Sequence, residues 1–165
     1  INLKKKYKNI ISIIVPRHIH RSHEIKQELN SSGLKVHFHT SNKPINIDTD
    51  IYIVDTFGET KSFLKLSKIA FMGKSIFAYG GQNPLEAARL GNIIIHGPNI
   101  ENFVEVYDFL KKQGVSSKIK SHKNLENLVL KFDKKKNYSQ QIIKKLSYTG
   151  NRILFNNEKE INKYC

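Results

Sequence analysis

Apolar residues along this chain gather in short runs separated by polar and charged segments, and the runs alternate between two periodicities. Ile10 to Val15 is a largely apolar run bounded by Pro16, the pattern of a strand buried on both faces. Ser22 to Asn30 reads as a helix that stops at Gly33, and Lys35 to His39 and Ile51 to Val54 read as strands. Glu59 to Leu66 follows as a short helix, Ile69 to Met72 as a strand, Pro84 to Leu90 as a helix closed by Gly91, and Ile93 to His96 as another strand. Glu101 to Gln113 carries Phe103, Val106, Tyr107 and Leu110 at helical spacing and ends before Gly114. Val115 to Ile119 reads as the last strand, with helices expected over Asn124 to Phe132 and Ser139 to Ser147. Strands separated by helices call for right-handed crossovers and a parallel sheet, so the expected fold is α/β, a Rossmann-like doubly wound parallel sheet whose ligand lies at the carboxyl ends of the strands.

Composition fits that class. The chain has 165 residues, read as one domain over 1–165, with 39% hydrophobic and 25% charged residues. No run approaches the ~18–20 apolar residues of a membrane span, and the start lacks a charged-then-apolar signal pattern. The one cysteine is Cys165, which excludes an intrachain disulfide and a cysteine metal cluster. The formal charge of +14 is concentrated in part at Lys4 to Lys6 and Lys134 to Lys136. Two readings remain for it: a coding bias toward Lys, Ile and Asn, or attraction to an anionic membrane surface. Nucleic acid is not expected as a partner, because the aromatic-plus-basic signatures of RNA modules and zinc-finger spacings are missing.

The chemistry concentrates in segments that follow predicted strands. In Tyr79 to Gly91, Gly80 and Gly81 allow close backbone approach to a ligand, Asn83 is a good N-cap and Pro84 suits the first helical position. The helix start behind them would face a phosphate, with Glu86 in reach of ribose hydroxyls, although an ordinary βα loop with a good cap has the same sequence. Pro16 to His18, Asp55 to Glu59, Gly73 to Ser75 and Gly97 to Asn99 would share one sheet edge and one crevice with it. No Gly-x-Gly-x-x-Gly follows the first strand, and neither a P-loop nor a Gly-x-Ser-x-Gly elbow is present. His18, His20 and His23 are closely spaced but lack convincing carboxylate or cysteine partners, so no metal and no cofactor is expected. Asp48-Thr49-Asp50 precedes a strand, at the end opposite the crevice, and reads as a turn. His37 and His39 share one face of a strand and read as edge or surface histidines.

Val15-Pro16-Arg17-His18, Asp55-Thr56-Phe57-Gly58-Glu59, Gly73 to Ser75 with Gly80 to Glu86, and Gly97-Pro98 with Asn102-Phe103 occur in this order. In that arrangement the chain, over roughly residues 10–160, resembles the C-terminal half of 3-deoxy-D-manno-octulosonic acid (Kdo) transferases, glycosyltransferases that move Kdo from CMP-Kdo to the lipid A precursor. Gln82 stands where the family usually has His, Asn99 where His commonly follows Gly-Pro, Lys74 in place of a second Gly, and Thr60 where Leu is usual. An amide at 82 still hydrogen-bonds but does not titrate near neutral pH.

The resemblance implies the C-terminal half of a GT-B enzyme, with the acceptor domain and the catalytic carboxylate in an N-terminal half, so no catalytic residue is expected in this chain. It implies donor contacts from Pro16, Arg17, His18, Thr56, Phe57, Gly58, Glu59, Gly73, Ser75, Gly80, Gly81, Gln82, Asn83, Leu85 and Glu86. It also implies CMP-Kdo as donor, a lipid A precursor as acceptor through the other domain, and the cytoplasmic face of the bacterial inner membrane as location. The alternatives are a non-catalytic basic module on an anionic membrane or nucleic acid, and a GT-B domain for another nucleotide sugar.

Overall fold

Ile93–His96 is the strand that is buried along its whole length, and the second half of the chain is built around it. The computed structural model describes residues 3, 4, 7, 10–133 and 137–161, with 133 and 151–161 described by backbone alone. The chain divides into two compact units, Ile1–Phe63 and Leu64–Cys165, each carrying its own three-stranded parallel sheet.

In the first unit, β1 (Ser12–Ile14) and β2 (Val36–Phe38) flank β3 (Ile51–Ile53), with Ser12 and Val36 both opposite Ile51. Helix α1 (Ser22–Ser31) follows a 3-10 turn at Ile19–Arg21, and Gly33 adopts φ +77 just beyond it, as a helix-terminating glycine does. The expectation that the first strand is buried on both faces fails. Ser12 is exposed, Ile13 and Ile14 are half-buried, and Ile11 and Val15 are about two-fifths exposed. In this sheet β1 pairs with β3 alone, so its apolar run lies on an edge, while the central strand supplies the buried Ile53 and continues into the buried Val54. The Asp48–Asp50 turn is held by lysines: Asp48 pairs with the Lys35 ammonium, and Asp50 accepts from the Lys35 N–H at 2.9 Å. Lys4 donates to the carbonyls of Ile10 (3.1 Å) and Thr49 (2.9 Å) and lies 3.6 Å from Asp50, so the first lysine of the N-terminal run ties the chain down. Lys5, Lys6 and Lys134 to Lys136 lie outside the described residues.

Helix α2 (Thr60–Leu66) crosses the division between units. In the second unit, β5 (Ile93–His96) lies between β4 (Ile69–Met72) and β6 (Ser116–Lys118), with Met72, His96 and Lys118 in register at the carboxyl end. The unit also contains α3 (Lys74–Phe77), α4 (Leu85–Arg89), α5 (Val104–Lys112), α6 (His122–Asp133) and α7 (Tyr138–Ile161). Tyr107 and Leu110 of α5, Ala87 and Ala88 of α4, Phe132 of α6 and Ile142 of α7 close on Ile93 and Ile94. Burying each of these isoleucines contributes about 1.5–3 kcal/mol. Asn92, fully buried, donates to the carbonyls of Leu64 (3.0 Å) and Ser67 (2.6 Å), joining the end of α2 to the start of β5.

Candidate functional site

The glycine run between β4 and α4 is shaped mainly by what lies behind it. Gly80 and Gly81 take φ +94 and +67, a left-handed region in which other side chains are strained. A Cβ on Gly80 would sit 2.8 Å from Asn102 Nδ2, and one on Gly81 would sit 2.9 Å from the Asn99 carbonyl. Gly81 is therefore required for packing against the backbone of Asn99 and Ile100, and Gly80 for its left-handed φ, beside the ligand approach expected of both. The Gly80 N–H already donates to Glu101 Oε2 at 2.9 Å, and this carboxylate repels an anion at that one amide. Among the described residues, the Gly81 and Gln82 amides have no protein acceptor.

Three further groups hold the loop. The Tyr107 hydroxyl donates to the Gln82 carbonyl at 2.9 Å, and burial pushes this phenol up to about 12, so it remains a donor throughout the physiological range. The His96 ring packs on Tyr107 with centroids 4.3 Å apart, and its Nδ1 is 2.7 Å from the Gly97 carbonyl, where it serves as the donor. Burial lowers the His96 pKa and outweighs the hydrogen bond to Gly97, which raises it, while Lys118 and Lys111 add smaller lowering contributions. Ser75, fully buried, donates to the Met72 carbonyl and accepts from the Gly97 N–H at 2.6 Å. Asn99 completes the stitch, its N–H donating to the Ser75 carbonyl and its side chain to the Ile76 carbonyl. A Cβ on Gly97 would come within 2.3 Å of the Ser75 carbonyl oxygen, so only glycine fits there.

The helix start lies one residue later than expected. Pro84 is the N-cap and Leu85 the first helical residue, and Asn83 Oδ1 accepts from the Leu85 N–H at 3.0 Å. Asn83 thus caps from one position further out, with Glu86 still exposed in the first turn. Helix α4 has five residues, which limits its dipole, but the Glu86 and Ala87 amides have no intrahelical acceptor. The Gly81, Gln82, Glu86 and Ala87 amides are thus left without a protein acceptor among the described residues, Gly81 and Ala87 buried and Glu86 exposed, on a loop held by Tyr107, Ser75 and Asn99. Gly73 is exposed at the N-cap of α3, Ser75 is buried in the stitch that holds the loop, and Leu85 is half-buried.

In the first unit the other expected residues also follow strand ends. Arg17 and His18 are exposed after β1, and Pro16 is half-buried. Gly58 turns at φ +83, and Phe57 beside it is four-fifths exposed. Thr56 Oγ1 is buried without a hydrogen-bond partner among the described residues. His39 braces this motif: Nδ1 lies 2.8 Å from the Tyr52 hydroxyl and Nε2 3.6 Å from Glu59 Oε2. Thr40 donates through both N–H and hydroxyl to Asp55. Burial raises the Asp55 pKa, but these hydrogen bonds outweigh it and leave the carboxyl below its ordinary range. Among the described residues, no three His, Cys, Asp or Glu side chains are grouped to hold a metal.

Sequence reasoning missed Tyr107, Glu101 and His39 as positioning residues. The signal in each case was a polar group on an otherwise apolar or helical pattern, Tyr107 being read as core and His39 as surface.

Comparison with known proteins gives a consistent picture. The chain is 33% identical over 166 residues to a 3-deoxy-D-manno-octulosonic acid transferase of Rickettsia prowazekii, covering 97% of this chain and 34% of that protein. It is 31% identical over 123 residues to the transferase of the same name from Aquifex aeolicus, covering 74% of this chain and 33% of the relative. The chain thus spans about a third of the length of the curated relatives it matches. Its fold is that of the C-terminal CMP-Kdo binding domain of WaaA from Acinetobacter baumannii, with a TM-score of 0.77 over 87% of this chain and 75% of that one at 22% identity. No family model matches.

Proposed function

The chain belongs to the Kdo transferase family, whose members match it over nearly its whole length, and on that premise we propose that it is the donor-binding part of such an enzyme. The free amides at Gly81, Gln82, Glu86 and Ala87 carry the reading. Backbone N–H groups fixed by Tyr107 and by the stitches at Ser75 and Asn99 suit the phosphate of CMP-Kdo, and Glu86 suits the ribose that follows it. For Pro16 to His18 and Thr56 to Glu59 the reading rests on the family likeness and on the orphaned Thr56 hydroxyl.

The chemistry is displacement at the anomeric carbon of Kdo with CMP leaving. Charge grows on the CMP phosphate as that bond breaks, and donors already fixed in place stabilise it without reorganising. The acceptor, a lipid A precursor, and the carboxylate that activates its hydroxyl are assigned to a part of the longer enzyme that this chain does not match. The location this reading implies is the cytoplasmic face of the bacterial inner membrane. This part is read as peripheral there, and no helix among the described residues is long and apolar enough to cross a membrane.

Titrating the purified chain with CMP, CDP and UDP tests the reading. CMP binding preferred over UDP is expected. Equal binding of all three would favour a GT-B domain for another nucleotide sugar, and no binding of any would refute donor recognition.

A further inference from the structure

The open side of β2 carries a feature that donor binding does not use. A shallow cavity of about 370 Å³ lies there, lined among others by Lys26, Lys35, Lys43 and His37. Asp48 neutralises Lys35, which leaves the Lys26 and Lys43 ammoniums uncompensated by any carboxylate in the lining. The Lys26 Nζ lies over the Phe38 ring, 4.5 Å from its centroid, so this charge is held against the cavity wall.

The loop that forms the other wall exposes two large apolar side chains. Ile47 is 97% exposed and Ile45 52%, alternating with the lining residues Asn46 and Asp48. This loop is not free to fold its isoleucines away. Thr49 N–H closes a turn on the Asn46 carbonyl at 3.0 Å, Asp48 is pinned to Lys35, and Asp50 accepts from the Lys35 N–H. Pro44 stiffens the way in.

Apolar tips beside an under-neutralised lysine cavity match a bilayer interface, where isoleucines enter the headgroup–acyl boundary and ammoniums meet lipid phosphates. We propose that this face of the first unit docks on an anionic phospholipid surface, with Ile45 and Ile47 inserted and a lipid headgroup phosphate held by Lys26 and Lys43. The proposal deepens the peripheral membrane placement above and does not depend on donor recognition. Vesicle binding and CMP binding are separate readouts, so either can fail alone.

The test is sedimentation of the full chain with vesicles of phosphatidylcholine alone or with about one part in three phosphatidylglycerol. Binding to the anionic vesicles only is expected. Replacing both isoleucines (Ile45→Ser with Ile47→Ser) should weaken it roughly tenfold, a loss that persists at high salt because it is apolar. Lys26→Gln with Lys43→Gln should weaken it roughly tenfold at low salt, where Lys123→Gln with Lys144→Gln, neutralising two exposed lysines of the second unit, should have little effect. Far-UV circular dichroism and the thermal midpoint confirm that each variant is folded. Wild-type binding by the isoleucine variant, or equal losses from the two lysine pairs, would overturn the proposal. So would a Lys26 and Lys43 effect confined to a single-stranded RNA probe, which would reassign the cavity to nucleic acid.

Discussion

Tyr107→Phe isolates the hydrogen bond that positions the donor loop. The side chain is 1% exposed, its hydroxyl donates to the Gln82 carbonyl at 2.9 Å, and its ring packs on His96. Phenylalanine keeps the ring and the packing and removes the donor alone, leaving a partly buried carbonyl without its partner. Such a loss costs ~1–2 kcal/mol, which for a chain of this size lowers the thermal midpoint by roughly 2–8 °C. If the bond also fixes the Gly81 and Gln82 amides for a phosphate, CMP affinity falls by about threefold to tenfold, equivalent to ~0.7–1.4 kcal/mol. Calorimetric titration with CMP below the midpoint, beside a thermal melt, reads both quantities. The control is Ser116→Ala, which removes a buried hydroxyl donating to the Tyr107 carbonyl at 3.3 Å. It is expected to lower stability without changing CMP affinity. A Tyr107→Phe variant that loses stability but binds CMP as tightly as the parent would refute the positioning argument.

Four other outcomes follow from the same geometry. Gly97→Ala places a Cβ 2.3 Å from the Ser75 carbonyl oxygen and should cost ~1–3 kcal/mol in a denaturant melt, with wild-type stability counting against the stitch. Arg17→Ala should weaken CMP by ~1.5–3 kcal/mol if its guanidinium bonds the phosphate, and unchanged affinity would return Arg17 to the surface. Glu86→Gln should lower affinity for CMP but not for its dideoxyribose analogue, whereas equal losses with both would mark Glu86 as structural. His96 is held below its ordinary 6.5 by burial, so the unfolded chain binds the proton more readily. Its contribution is fully present above pH 6.5 and declines as pH falls toward the folded value, so His96→Gln should flatten that part of the stability profile in melts across pH 5–8.

Much of this was legible because backbone constraints write themselves into residue type. The β4 and β5 boundaries, the stops at Gly33, Gly91 and Gly114, and the apolar face of α5 follow from periodicity and from glycines at φ +77, +87 and +75. What periodicity lacks is knowledge of neighbours. The run before Pro16 has the composition of a doubly buried strand, but burial depends on how many strands flank it, and β1 has one in its sheet. Pro84 suits either an N-cap or the first helical position, and the shift of one residue was settled by Asn83 reaching the Leu85 amide. The four residues of α3 are too few to leave a periodic signal. Tyr107 counts as apolar in any pattern, and only the fold reveals that its hydroxyl meets the Gln82 carbonyl.

We assign the amides between Gly81 and Ala87 to the phosphate of a cytidine nucleotide. Amide chemical shifts recorded during a CMP titration test this assignment most directly. The largest saturable shifts should fall on Gly81, Gln82, Glu86 and Ala87, with Gly80 moving less because its N–H stays on Glu101. Shifts concentrated instead in residues 137–146 of α7, or no saturable shift in the 81–87 loop, would contradict it.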